Sequence, residues 1–383
     1  MRTKCIITQK QIMFELKKTK IVKYLSLKKK LFSYVIGFIA YKNPDTSISD
    51  KAIYIDIKNI KQYARYIYLL VKFFNIEGYQ VYLPKKYSIY KAIIHENLFI
   101  KILLKENLIN FKALSNTQKI IVLNDNNLSP DYFNFLLQQS SKEHSYHIPM
   151  TMFPRMYQLN LWNLPVYDGK RKKSTFMIGN FDAIEYSQIR EADFGVASRI
   201  KLYDMLFEQN ILTSFDSYQE LKKFIESEED KKCIIIKSET FKINLENIRP
   251  LLGKFSFFIA FPGIVMPPCH NLIEALSVGT IPIIQKNYAA TLQPPLIDNI
   301  NSIQFENEND IIEKINWSYT LSDSKIDEMK TKAMEYYTHY LTPKSVVESI
   351  VSDPKRKFYL LAEQKSVEIF QQANFNTLQL ENK

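Results

Sequence analysis

The feature that most constrains the fold of this chain is an alternation of strand and helix patterns that begins at residue 51. The stretch KAIYIDIK (51–58) alternates β-branched and polar residues, as a strand does, and YQVYLP (79–84) is a second strand closed by a proline. Between them, IKQYARYIYLLVKFFNIEG (60–78) has apolar residues at helical spacing and ends at Gly78. Two strands joined by one helix pair in parallel, so the sequence predicts an α/β fold.

The same alternation continues in two series, separated by the polar, basic stretch YDGKRKKS (167–174). In the first series, residues 88–114 are predicted to be largely helical, KIIVLND (119–125) to be a strand and residues 144–154 to be extended. In the second, strands are predicted at 175–180, 232–237, 255–263 and 302–305, and helices at 195–209, 243–252, 271–278, 322–340 and 354–371.

A chain of 383 residues exceeds the size at which a single core usually stops growing, so two main domains are expected. We predict an N-terminal arm (1–50), an acceptor-side α/β domain (51–170), a donor-binding α/β domain (171–345), and a C-terminal helix and tail (346–383). The predicted fold is two Rossmann-like domains whose parallel sheets face a central cleft. Ligands of such sheets bind outside the carboxyl ends of the strands.

Cysteine and histidine spacing argues against metal and disulfide chemistry. The three cysteines are far apart and lack a C-x-x-C pair, and the five histidines lack an H-E-x-x-H spacing. We therefore expect a reducing cytoplasmic setting, no metal site and no cofactor.

The net charge of +11 is concentrated at the N-terminus, where residues 1–30 hold Arg2 and nine lysines against Glu15, a net charge of +9. An apolar run, LFSYVIGFIAY (31–41), follows, too short to span a bilayer and without a signal-peptide cleavage site. One interpretation is an anchor on the anionic inner face of the cell membrane; the other is a solvated basic arm followed by a first core element. No nucleic-acid motif accompanies the arm, so nucleic acid is not an expected partner.

The stretch PPCHNLIEALSVGTIPII (267–284) allows a structural and a functional interpretation. Structurally, Asn271 and Glu274 can form a capping box, Gly279 can end the helix in a left-handed conformation, and Pro282 suits an edge strand or the first residues of a strand. Functionally, the helix follows the strand FFIAF, so its N-terminus faces the carboxyl edge of the sheet, where backbone N–H groups attract an anion. His270 and Asn271 are then placed at phosphate distance, and Glu274 near ribose hydroxyls.

Residues 257–306, with PGIVMPPCHNLIEALSVGTIPII followed by YAATLQPPLIDNINSIQF, resemble the donor-binding half of type B glycosyltransferases. The likeness is to bacterial surface-polysaccharide enzymes distantly similar to the exostosin group. It departs from that pattern at His270 and Asn271, where an arginine often precedes the glutamate helix. The resemblance implies a nucleotide-sugar donor as substrate and a glycan or lipid-linked acceptor.

A donor phosphate needs further cations, and two basic residues fall near the predicted carboxyl edge. Arg199 follows FGVAS, and Lys237 ends the strand CIIIK. Each could contact a donor phosphate. The alternative for each is a basic side chain exposed to solvent. Gly179 and Asn180 end the first strand of the second domain, where small size admits a ligand close to the backbone, although a simple turn explains them too.

Inverting transfer also needs a base, expected from the first domain. The candidates are Asp125 after the third strand, Asp56 in the first strand and His147 before IPM, although the NDNN context of Asp125 is equally typical of a turn.

The sequence thus predicts a cytoplasmic, membrane-peripheral, metal-independent glycosyltransferase. Two alternatives stay open: a sugar-nucleotide epimerase of similar two-lobed fold, and a non-catalytic scaffold that binds membranes or polyanions.

Overall fold

A computed structural model describes residues 9–44, 51–95, 98–112, 120–137 and 144–381. Residues 1–8, which include Arg2 and Cys5 of the basic arm, lie outside this range. The strands are β1 (Ala52–Asp56), β2 (Gln80–Leu83), β3 (Asn110–Phe111), β4 (Ile121–Asn124), β5 (Leu128–Ser129), β6 (Ser145–Ile148), β7 (Lys172–Gly179), β8 (Leu212–Thr213), β9 (Cys233–Lys237), β10 (Phe255–Ala260), β11 (Ile281–Gln285), β12 (Ile303–Phe305) and β13 (Lys357–Leu360).

The helices are α1 (Gln9–Ala40), α2 (Arg65–Ile76), α3 (Tyr87–His95), α4 (Leu98–Lys105), α5 (Pro154–Gln158), α6 (Glu191–Phe194), α7 (Arg199–Glu208), α8 (Tyr218–Glu226), α9 (Leu245–Leu252), α10 (His270–Leu276), α11 (Lys286–Ala290), α12 (Ile311–Ser318), α13 (Asp323–Tyr340), α14 (Pro343–Ser352) and α15 (Gln364–Glu381). Short 3-10 turns occur at Ile60–Tyr63, Tyr132–Leu136 and Glu308–Asp310.

The α/β class with parallel sheets is confirmed, because every strand pairing among the described residues is parallel. The first half contains a four-stranded sheet in the order β3-β2-β1-β4, and the second half a six-stranded sheet in the order β12-β11-β10-β7-β9-β8. The predicted first βαβ unit is present, with Ile53 of β1 opposite Val81 of β2. Strand β10 is buried along its whole length. Strands covered on both faces are nearly continuous apolar runs, as the sequence of β10 is.

The end of the chain returns to the first half, which the sequence did not predict. Strand β13 inserts between β5 and β6, with Phe358 opposite both Leu128 and Tyr146. The predicted helix over 354–371 is therefore wrong at Lys357–Leu360, because strand pairing decides the conformation there. Helix α14 packs on α2, so residues from 343 onward add to the structure of the first half.

The two halves share one apolar core. Phe133, from the first half, lies 4.9 Å in ring-centroid distance from Phe194 of α6 and 5.9 Å from Phe370 of α15. This contact continues an apolar cluster that runs through both halves. The first half therefore packs against α6 and α15 through this shared core.

The apolar run 31–41 lies mostly on helix α1 and is divided between two environments. Phe38 and Tyr41 pack against Tyr90 and Phe111, with ring centroids 5.2–6.3 Å apart. Other apolar side chains of α1 are exposed, Ile39 at 77% and Phe32 at 67%. Across residues 9–44, 51–95, 98–112, 120–137 and 144–381, no helix combines the length and apolar character needed to cross a bilayer.

Candidate functional site

The candidate site lies at the carboxyl edge of the six-stranded sheet, where three segments converge. Strand β7 ends at Gly179, strand β10 ends at Ala260, and α10 begins at His270 after an intervening loop. A Cβ on Gly179 would lie 3.1 Å from Nη1 of Arg199 and 3.4 Å from Nδ2 of Asn271. A side chain at this point would therefore be a tight fit against the Arg199 guanidinium, and glycine avoids that contact.

A cavity of about 440 Å³, hereafter the large cavity, opens at this edge. Six of the seven residues predicted to bind the donor line it: Gly179, Asn180, Arg199, His270, Asn271 and Glu274. The polar lining residues at the carboxyl edge of the sheet are hereafter the polar end of the cavity. The segment before and within α9 contributes Lys242 and four apolar side chains, hereafter the apolar wall: Phe241, Ile243, Leu245 and Ile248. Phe153, from the first half, is also in the lining, so both halves of the chain form the cavity.

Glu274 contributes a carboxylate to this lining, and only 3% of the residue is exposed. Its Oε1 accepts the backbone N–H of Phe153 at 3.1 Å and lies 3.0 Å from Nδ1 of His270. A buried carboxylate is stable only when paired and hydrogen-bonded, and these two contacts meet that need. Glu274 therefore joins α10 to the first half of the chain.

The charge of Glu274 sets the protonation of His270. Burial opposes the charged imidazolium, but the charge of Glu274 and its hydrogen bond outweigh that effect, and the pKa of His270 is raised above its usual 6.5. The ring of His270 also lies 5.3 Å from that of Phe153. A positive charge is thereby favoured at the polar end of the large cavity.

The predicted capping box at Asn271 and Glu274 is wrong. Cys269 occupies the N-cap position without a side-chain cap, and Asn271 lies inside the first turn of α10. Asn271 instead donates through Nδ2 to the carbonyl of Ile178 at 3.2 Å, which ties α10 to the end of β7. The other two structural predictions are confirmed. Gly279 has a left-handed φ of 69°, and Pro282 is the second residue of β11.

Arg199 is 1% exposed and uses most of its donors on backbone carbonyls. Nε and Nη2 donate to Pro262 at 3.1 and 2.9 Å, and Nη1 donates to Asn180 at 2.8 Å. The guanidinium also lies 3.9 Å from the ring centroid of Tyr186. Arg199 thus holds together the loops after β7 and β10, and it lines the cavity as a positioning group.

Lys237, the remaining predicted donor contact, is not in the lining of the large cavity. Its Nζ lies over the ring of Tyr203 in α7, 4.0 Å from the centroid. Successive side chains of a strand point to opposite faces of the sheet, so the side chain of a lysine at the strand end can lie on either face. Lys242, five residues later, lines the cavity and was missed, because a lysine in a polar loop carries no distinguishing sequence signal.

Asp56 and Asp125 lie at the carboxyl edge of the first sheet, where β1 and β4 are neighbours. Asp125 is exposed and accepts the backbone N–H of Lys58 at 3.1 Å, whereas Asp56 pairs with Lys86 at 3.3 Å. Neither carboxylate is in the lining of the large cavity, so their role as a base stays a prediction.

His147 lies in the small sheet formed by β5, β13 and β6. It stacks on Tyr359 with ring centroids 4.6 Å apart, and its Nε2 is 2.8 Å from Oδ1 of Asn134. Burial lowers its pKa to about 4, which favours the neutral ring. These contacts make it a packed core histidine, and it is not in the lining of the large cavity.

A second cavity of about 180 Å³, hereafter the small cavity, adjoins the large one and shares Tyr186 and His270 with it. Arg65 of α2 and Glu363, just before α15, face each other in its lining, 2.6 Å apart from Nη2 to Oε1. The sequence did not predict Glu363 as a site residue, because the position of the chain end beside Arg65 depends on the pairing of β13.

Metal ligation finds no support among the described side chains, where no group of three or more His, Cys, Asp or Glu residues is placed to hold an ion.

Comparison with known proteins gives distant structural likenesses only. No family model matches the chain, and no curated protein matches it in sequence. A mutant of S. aureus TarM, in complex with fondaparinux, alpha-GlcNAc-glycerol and UDP, aligns at 15% identity over 74% of this chain and 53% of its own, with a TM-score of 0.36. This chain thus spans about half the length of TarM.

Two further solved structures align over nearly their whole length. A glycosyltransferase from Rickettsia africae ESF-5 is 11% identical over 80% of this chain and 98% of its own, with a TM-score of 0.37. HepE of Anabaena, in complex with UDP and glucose, is 11% identical over 79% and 98%, with a TM-score of 0.34. TM-scores this low do not transfer a function, so the geometry of the cavities has to support any functional conclusion.

Proposed function

We propose that this chain is a glycosyltransferase of polysaccharide biosynthesis, which moves a sugar from a nucleotide-sugar donor to a hydroxyl group of a surface glycan or lipid-linked acceptor. The observation that carries the proposal is the mixed lining of the large cavity, which combines the four side chains of the apolar wall with the residues of the polar end. The wall of Phe241, Ile243, Leu245 and Ile248 suits the flat face of a base. The polar end suits phosphates and sugar hydroxyls.

The lining offers complementary groups for such a donor. His270, whose pKa is raised, and Lys242 supply positive charge for the phosphates, and the Glu274 carboxylate can accept from hydroxyl groups. Gly179 leaves the backbone of β7 open to close approach. With these cations in place, we propose that transfer needs no metal and no cofactor, and that Asp125 or Asp56 supplies the base if transfer inverts the sugar.

The test is a thermal-shift screen of nucleoside diphosphates and nucleotide sugars, followed by a donor-hydrolysis assay with and without EDTA. We expect one nucleotide family to raise the melting temperature of the wild type but not of Glu274→Gln. Protection by none of the nucleotides would overturn the proposal. Release of an altered, free sugar nucleotide would indicate an epimerase instead, and loss of hydrolysis in EDTA would refute metal independence.

We also propose that the protein works at the inner face of the cell membrane, held there by helix α1. Leu25, Phe32, Ile36 and Ile39, hereafter the α1 stripe, are 50–77% exposed and recur at helical spacing along about 21 Å of one face. Lys28 and Lys29 flank the stripe on its two sides, and no acidic residue occurs from Leu16 to Pro44. An apolar face bordered by lysines fits an anionic lipid surface.

Cosedimentation of the full chain with phosphatidylglycerol vesicles tests this assignment. Binding should weaken at high salt, on phosphatidylcholine vesicles and in a Phe32→Ser, Ile36→Ser double variant. Phe207→Ser, which removes a 61% exposed aromatic elsewhere, is the matched control and should bind normally. If the protein does not bind vesicles and instead forms dimers that the double variant abolishes, the membrane role is wrong. The α1 stripe is then an interface between two copies of the chain.

A further inference from the structure

The small cavity lies beside the proposed donor position, because Tyr186 and His270 form a wall common to both cavities. Its remaining lining comes from the first half, from the loop before α10 and from the returning chain end. A group held there would lie next to a donor in the large cavity, with Tyr186 and His270 at the boundary between them. The inference below therefore rests on the proposed function and concerns the acceptor.

The lining of the small cavity combines apolar contacts with one ion pair. Met150, Val265, Met266 and Pro268 supply apolar surface, and the Arg65–Glu363 pair supplies the charged groups of the first half and the chain end. Sugar rings have apolar C–H faces and polar edges, so this mixture suits a carbohydrate.

The ion pair determines which kind of sugar fits. The guanidinium of Arg65 is already neutralised by Glu363 at 2.6 Å, with side-chain exposures of 28% and 39%. His270, which also lines this cavity, is paired with Glu274. A carboxylate or phosphate on the ligand would therefore find the cations of this lining already paired and would meet the negative charge of Glu363. A hydroxyl group can donate to Glu363 and accept from Arg65 at once, and Nε of Arg65 is a buried donor without a partner among the described residues.

Unusual backbone angles occur at or directly before both members of the pair. Ala64, directly before Arg65, has φ 43° and ψ −116°, and Glu363 has φ 43°. Residues other than glycine rarely adopt such angles, and they persist where the surrounding structure enforces them, commonly at functional sites.

We propose that the small cavity holds a neutral hexose ring of the acceptor and that the Arg65–Glu363 pair recognises its hydroxyl groups. The cavity volume of about 180 Å³ is several times what one ordered water needs, so the cavity has room for a small ring. Arg65 and Glu363 act as specificity-determining residues, and neither lines the large cavity.

Ligand-observed NMR on the full chain tests this assignment, with methyl glucoside and methyl glucuronide as probes. The wild type should bind the glucoside and not the glucuronide. Glu363→Gln should weaken glucoside binding about tenfold, since one charge-assisted hydrogen bond is lost, and should now favour the glucuronide because Arg65 is left unneutralised. Arg65→Met should bind neither probe. Glu308→Gln, which breaks a 2.6 Å ion pair with Lys201 outside both cavities, should behave as the wild type.

Unchanged glucoside affinity in Glu363→Gln, or a wild type that prefers the glucuronide, would overturn the proposal. Unfolding midpoints identify variants that fail to fold, and Glu363→Gln alone suffices if Arg65→Met is among them. Nucleotide thermal shifts on the same proteins separate the two ideas. If no nucleotide protects the wild type, the donor proposal fails while the probe affinities still decide the sugar site.

Discussion

The backbone N–H of Phe153 donates to the buried carboxylate of Glu274 at 3.1 Å, across 121 residues of sequence. This bond links the first half of the chain to the helix at the carboxyl edge of the second sheet. The same carboxylate oxygen contacts His270, so one side chain couples the association of the two halves to the charge at the polar end of the large cavity. Four predictions follow from this site and its neighbours.

Removing the Glu274 carboxylate should destabilise the protein. Glu274→Ala leaves the Phe153 N–H and the His270 ring without their partner, and we expect a loss of about 2–4 kcal/mol in the free energy of unfolding. Glu274→Gln keeps an acceptor for Phe153 and should cost about 1 kcal/mol. Urea unfolding measures both. Glu306→Ala removes a mostly exposed carboxylate as the control and should change stability by less than about 0.5 kcal/mol; equal losses at both positions would contradict the prediction.

The His270–Glu274 pair should make stability depend on pH. The pKa of His270 is raised in the folded state, so its contribution is fully present below the unfolded value of 6.5 and is lost as pH rises through the folded value. The stability difference between wild type and His270→Gln should therefore be larger at about pH 6 than at about pH 9. In a Glu274→Gln background the difference should lose this dependence. A difference that grows with pH would show the opposite linkage.

Replacing Arg199 by lysine should be costly although charge is kept. A lysine ammonium cannot reproduce the fork that reaches the Pro262 and Asn180 carbonyls together, and we expect a loss of about 2 kcal/mol in the free energy of unfolding. Arg190→Lys, at a side chain that is 65% exposed, should change it by less than about 0.5 kcal/mol. Urea unfolding measures the free energy of unfolding of both variants. Equal values for the two variants would rule out the positioning role of Arg199.

The two described cysteines should differ in reactivity. Burial raises the pKa of the Cys269 thiol, but the charges of Arg199 and His270 outweigh it and the pKa is lowered overall. Burial raises the pKa of Cys233 to about 11. In a Cys5→Ser background at neutral pH, iodoacetamide should modify Cys269 at least about tenfold faster than Cys233, as followed by peptide mass spectrometry. Faster modification of Cys233 would refute the assignment.

The alternation of strand and helix patterns was enough to predict the α/β class, the parallel pairing of β1 with β2 and most element positions, because burial periodicity is a local property of the chain. The chain order of strand and helix also indicated that Gly179, Asn180, His270, Asn271 and Glu274 meet at one edge. Their common lining of the large cavity agrees with that expectation.

Tertiary structure decided everything that depends on long-range pairing. The insertion of β13 between β5 and β6 brings Glu363 to Arg65, and the packing of the two halves brings Phe153 to Glu274. Local sequence pattern did not predict side-chain direction either. The Lys237 side chain lies over Tyr203, whereas Lys242 lines the large cavity. Periodicity specifies which face of an element is buried, but not which distant segment covers it, because that choice depends on the summed packing and hydrogen bonding of the whole fold.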